Sequence, residues 1–142
     1  MKVLFDTNVI LDVLLDREPF AMDAAMLMAK VERIEIIGFI CATTVTSIPY
    51  LACKTLGPKA AFRHIQSLLT LFSIAPVNRL VLENACATSF SDFEGAIIHE
   101  AAIHAGAQHL VTRNISDFKK ASLPVYEPRE FLNAFELLNK NG

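Results

Sequence analysis

The chain has 142 residues, 53% of them hydrophobic and 20% charged, with a net charge of −2. That length suits one domain, residues 1–142, able to bury a core without disulfide staples, and the apolar content excludes a disordered chain. The charge singles out no partner, and nucleic acid stays open because metal ions can carry the positive charge of a site.

Val3-Leu4-Phe5 reads as a strand buried on both faces, as in a parallel sheet. The chain then turns into a helix from about Asn8 to Leu15, so Asp6 falls at the carboxyl end of the strand. Open α/β sheets bind their ligands at that edge. The polar Asp16-Arg17-Glu18-Pro19 ends the helix, and a second runs from about Phe20 to Arg33. Ile36 to Ala42 is the next buried strand. The helix after it starts near Thr43 or Thr44, good capping residues, and stops at Gly57-Pro58. Pro49 is expected in its first or second turn, where a proline is tolerated. Lys59 to Leu69 is a helix, Leu71 to Ala75 a third strand, and Val77 to Thr88 a helix.

After the loop Ser89 to Asp92, a helix runs from Glu94 to Ala105, closed by Gly106. It is small or apolar nearly all round, which predicts a central, buried position. His109 to Thr112 is a fourth strand, Arg113 to Phe118 a polar loop, and Val125-Tyr126 a short fifth strand. Pro128 opens a last helix to about Asn139. Strands alternating with helices predict an α/β fold: a parallel sheet of four to five strands with helices on both faces.

Three cysteines, Cys41, Cys53 and Cys86, lack any CxxC spacing and sit in apolar segments. They read as buried free thiols of a reducing cytoplasm. No signal peptide fits the start, because Asp6 interrupts the apolar run. Ile36 to Cys53 is the longest uncharged run, and it reads as core rather than as a membrane span.

The polar residues at the expected sheet edge each carry a local reading and a functional one. Asp6 suits a helix N-cap or an acidic centre, and Thr7 and Asn8 suit turn chemistry or support of that centre. Ser91-x-x-Glu94 is a capping box with Asp92 in the first helical turn; both acids would also lie close to Asp6. Asp117 and Asn114 suit an Asx-turn or an oxygen ligand. Thr112 could orient an acid or a water, and Arg113 could meet phosphate or solvent. His99 and His104 stand at i and i+5, about 500° round a helix, so they face apart and lack the zinc-protease spacing. These two, with His64 and His109, read as surface or core-edge residues. Lys54, Lys59, Arg63 and His64 form a basic cluster that could track an RNA backbone or simply be solvated. Met22, Met26, Leu27 and Met28, with Ala25, exceed one core stripe, which suggests a surface for a partner helix or a second copy.

Asp6-Thr7-Asn8 ending the first strand, Ser91-Asp92-Phe93-Glu94 opening a buried helix, and Val111-Thr112-Arg113-Asn114-Ile115-Ser116-Asp117-Phe118 after the fourth strand resemble the PIN domain. The Arg17-x-Pro19-Phe20 stretch is similar to the branch of VapC-like toxins. The resemblance covers about Lys2 to Phe131. It implies a metal-dependent endoribonuclease, the toxin of a toxin–antitoxin pair, using Mg²⁺ or Mn²⁺. It implies Asp6 and, at one register, Asp117 as catalytic acids and metal ligands; Asp92 or Glu94 is the expected replacement for a family acid this chain lacks, with Glu94 as the third metal ligand. Thr7, Asn8, Thr112, Arg113 and Asn114 would support substrate or acids. Partners would be RNA, a cognate antitoxin and a second copy in a homodimer. The family's four acids are only partly matched: the second falls on Ser47 and the third on Gly95, while the fourth falls on Asn114 or Asp117. The incomplete set leaves a second expectation, a degenerate PIN domain that binds RNA or protein without cutting. A third reading, phosphotransfer through Asp6, needs a second aspartate two residues on, where this chain has Asn8.

Overall fold

The computed structural model describes residues 1–141. Five strands, β1 (Lys2–Phe5), β2 (Ile37–Cys41), β3 (Ser73–Ala75), β4 (His109–Val111) and β5 (Val125–Tyr126), form one parallel sheet in the order β3-β2-β1-β4-β5. Among the described residues seven helices accompany it: α1 (Thr7–Leu14), α2 (Ala21–Glu32), α3 (Ala42–Leu56), α4 (Pro58–Leu71), α5 (Arg79–Ala87), α6 (Phe93–Ala105) and α7 (Pro128–Asn141). A 3-10 turn, Ile115–Phe118, follows β4.

The alternation of β1 explains the layers. Val3 and Phe5 point into one core with Ile10, Leu27, Ile40 and Phe131, while Leu4 points into the other with Val81, Ala96, Ala101 and Leu110. Successive strand side chains take opposite faces, so both faces of β1 must be apolar. The chain builds outward from β1 to β2 and β3, then returns to place β4 on the other flank of β1. The carboxyl ends of β1 and β4 therefore form the switch point of the sheet. As expected, α6 is central: seven of its residues, from Gly95 to Ala102, are buried, four of them glycine or alanine.

Several boundaries differ from the sequence reading. Helix α3 begins at Ala42, straight from β2, so Pro49 lies in its third turn rather than its first two. The proline removes the N–H that would meet the Val45 carbonyl, and burial of Ile48 and Ala52 carries the helix past the loss. Gly57, at φ 83°, ends α3, but Pro58 also opens α4 as its first residue. Leu71 extends α4 instead of opening β3. Among the cysteines only Cys41 is buried; Cys53 is half-buried and Cys86 exposed on α5. Among the described residues no helix is long and apolar enough to cross a membrane.

Candidate functional site

Asp6 caps α1. Its Oδ1 accepts the Thr7 N–H at 2.8 Å, and its own amide donates to the Val111 carbonyl at 2.9 Å, fastening the cap to β4. Its Oδ2 accepts the Thr112 hydroxyl at 2.7 Å and the Asn8 amide at 3.3 Å. Thr112 is fully buried, and its Oγ1 in turn accepts the Asn114 N–H at 3.0 Å. The threonine thus orients an acid. The Thr7 hydroxyl shares a 2.8 Å bond with Thr44 on α3. The Asn8 carbonyl oxygen of the side chain accepts the Arg113 N–H at 3.3 Å. These bonds pin the start of α1 to the segment after β4.

A cavity of about 420 Å³ opens above this point, lined by Asp6, Asp92, Glu94, Asn114 and Asp117 among others. Burial pushes the Asp6 carboxyl above its ordinary value; the Thr112 hydroxyl and Thr7 N–H oppose this, and the charges of Glu94 and Asp117 add to the rise. The candidate acids thus come to one place from three segments.

Asp92, and not Ser91, is the N-cap of α6: its Oδ2 accepts the Gly95 N–H at 2.9 Å, and the helix starts at Phe93. The expected capping box is replaced by this single bond, which places Asp92 before the first turn instead of inside it. A Cβ on Gly95 would lie 3.2 Å from Asp92 Oδ2 and 3.6 Å from the Asp117 carbonyl oxygen. Position 95 therefore faces the acids. Ser47 donates to the Thr43 carbonyl of its own helix at 2.9 Å and does not line the cavity; Leu51, one turn later, does. In the loop, Asp117 belongs to the 3-10 turn, closed by its N–H on the Asn114 carbonyl at 3.0 Å, so backbone replaces the expected Asx-turn.

The acids lining the cavity, Asp6, Asp92, Glu94 and Asp117, offer oxygens, which suits a hard divalent cation. Among the described residues no three His, Cys, Asp or Glu side chains converge into a metal-holding group. The residues fit an open site of one or two carboxylates completed by water and phosphate, the usual manner of Mg²⁺, and do not fit a closed protein cage.

Sequence reasoning missed Asp12. It is fully buried on α1 and holds two arginines: Arg17 Nε at 2.8 Å on Oδ1, and Arg113 Nε at 2.6 Å on Oδ2 with Nη2 at 3.1 Å on Oδ1. Arg113 also stacks on the Phe20 ring at 3.9 Å. Arg113 is therefore an ion-paired, ring-stacked side chain and not a solvated one. The signal was a lone aspartate in an apolar helix, since buried acids require partners. His99 is a second correction. It is buried, stacked on Phe90, and its Nε2 accepts the Ser122 N–H at 3.1 Å, so it anchors the segment before β5. Leu27 is core, whereas Met22 and Met26 are exposed.

The family model described as PIN domain matches residues 2–116. The chain belongs to the PIN domain family. Among solved structures, this PIN domain is similar to a toxin–antitoxin complex from Klebsiella pneumoniae, with 24% identity and a TM-score of 0.67 over 89% of this chain and 97% of that one. VapBC2 from Rickettsia felis, bound to a DNA fragment from its promoter, gives 15% identity and a TM-score of 0.61 over 89% and 98%. VapC20 from Mycobacterium tuberculosis, described as a sarcin–ricin loop cleaving toxin, gives 14% and 0.61 over 76% and 86%. No curated protein sequence matches the chain.

The raised Asp6 pKa has a sign. Ionised Asp6 costs the folded state stability at neutral pH, and the cost vanishes below the ordinary value of 3.8. Asp6→Asn is expected to raise the thermal midpoint of metal-free protein at pH 7, with the gain disappearing in acid. Thermal scans across pH check this; a lower midpoint at every pH would contradict it.

Proposed function

We propose that this PIN domain is a Mg²⁺- or Mn²⁺-dependent endoribonuclease and the toxin of a toxin–antitoxin pair. The observation that carries the reading is the meeting of Asp6, Glu94 and Asp117 around one cavity at the sheet's switch point. Further support comes from the toxin–antitoxin complexes and the sarcin–ricin loop cleaving toxin among proteins of the same fold. One or two of Asp6, Glu94 and Asp117 would hold the cation, with water and phosphate completing its shell. When bound, the ion neutralises charge on the scissile phosphate and eases deprotonation of water. The chain's own part is positional. Thr112 and Asn8 fix the Asp6 carboxylate, and the exposed Glu94 and half-buried Asp117 are open to an entering RNA strand and its attacking water.

The second reading is a PIN domain that binds RNA or a protein without cutting. Ser47 bonded to its own helix and Gly95 without a side chain favour it. Turnover separates the two. Titration of Mn²⁺ into metal-free protein should show micromolar binding that Asp6→Asn loses, and purified protein should cut RNA with the same dependence. Absence of turnover at every Mg²⁺ and Mn²⁺ level, with RNA still bound, selects the binding module.

The Gly95 position supplies a second test. Gly95→Asp adds a carboxylate beside Asp92 and Asp117, and it should tighten Mn²⁺ binding about tenfold as ligand charge rises. An unchanged titration would mean that position 95 contributes nothing to a cation.

For partners, the exposed Met22 and Met26 on α2 support a second copy or an antitoxin helix. Light scattering should give the mass of a homodimer; a monomer at all concentrations would leave that surface to an antitoxin alone.

A further inference from the structure

Asp12, Arg17 and Arg113 carry one net positive charge, and both arginines line the same cavity as Asp6, Glu94 and Asp117. The cavity thus has an acidic floor and a cationic wall. Asp12 is fully buried and uses both oxygens to hold the two guanidinium groups side by side. Arg17 spends its Nη2 on the Asn8 carbonyl at 3.2 Å, and the Phe20 ring covers one face of Arg113. Among the described residues, Nη1 of each arginine makes no hydrogen bond to the protein. Two guanidinium groups immobilised at the edge of one cavity, each with Nη1 left for a ligand, match the oxygens of a phosphodiester.

We propose that Arg17 and Arg113, held by Asp12, form a phosphate-binding subsite that grips the RNA backbone next to the acidic centre. The inference rests on RNA as the ligand of the proposed function and goes beyond it by naming what holds the strand. A pair of arginines fixed by a buried carboxylate loses little side-chain entropy on binding, unlike mobile lysines on a solvated face. It also gives the cavity its polarity: the phosphate flanking the scissile bond meets the arginines, and the scissile phosphate meets the acids. Asp12 acts through the arginines and is a positioning residue.

The test is binding, read apart from cleavage. The probe is a fluorescent 2′-O-methyl RNA oligonucleotide, titrated in EDTA across a salt series. Arg17→Gln leaves Arg113 on Asp12, so the fold should persist, which the thermal midpoint verifies. The expected result is about tenfold weaker binding and a log–log salt slope smaller by about 0.7, the signature of one lost phosphate contact on a single strand. Arg17→Lys should keep the slope but recover only part of the affinity. Arg113→Lys, which breaks the two-bond fork, should weaken binding in the same way. Unchanged affinity and slope in Arg17→Gln would overturn the subsite, as would failure of the wild type to bind the probe. A wild type that binds the probe through Arg17 yet never cuts unmodified RNA with Mn²⁺ would refute the nuclease and leave the subsite standing.

Discussion

A carboxylate buried at the end of a central strand must have its hydrogen bonds supplied by the fold, and Asp6 is that carboxylate. Left in an apolar setting without partners it would cost several kcal/mol and take up a proton. Here three donors, from Thr7, Asn8 and Thr112, meet its two oxygens. The first two lie on α1 and the third follows β4, so the bonds that stabilise Asp6 also fix α1 against the far side of the sheet. Local capping and site building are the same act at this residue. The contrast between its local and functional readings therefore dissolves: an N-cap at a switch point is already a presented acid.

A second buried carboxylate, Asp12, stands less than two turns further along the same helix and is handled in the opposite way. Asp6 is met by neutral donors and sits among like charges; Asp12 is met by two guanidinium groups. The loop after α1 brings Arg17 and Phe20, and the segment after β4 brings Arg113. One helix thus carries an uncompensated acid and an overcompensated one, and the charge of the cavity changes sign across it. Removing Asp12 alone would leave two arginines without a buried partner, which makes it a costly residue to lose.

The order of strands and helices was legible because β1 and β2 are apolar runs each followed by a helical pattern, while β4 is a short apolar run bounded by polar residues. Boundaries were less so. Leu71 is apolar in either state, and only packing assigns it to α4; Pro49 reads as an early-turn residue because the start of α3 is hidden in an unbroken run from β2. For the site, the acids on short polar stretches, Asp6, Asp92, Glu94 and Asp117, stand out against apolar neighbours, and the structure brings them to one cavity. Asp12 and His99 were illegible for a common reason. Each is polar inside an apolar helix, and a partner it depends on comes from a segment distant in sequence: Arg113 for Asp12, beside the nearby Arg17, and the Ser122 backbone for His99. Spacing along one helix cannot reveal such pairs.

The strand order has a consequence for synthesis. β1 is made first but lies in the middle of the sheet, and its second flank is filled by β4, so Asp6 and the Thr112 that orients it stand 106 residues apart. A chain still emerging from the ribosome carries Asp6 on a strand with one edge bare. Glu94, Arg113 and Asp117 arrive later still. The cavity and both of its charged walls come into being only when β4 docks, so whatever chemistry the site performs is withheld until most of the chain has been translated.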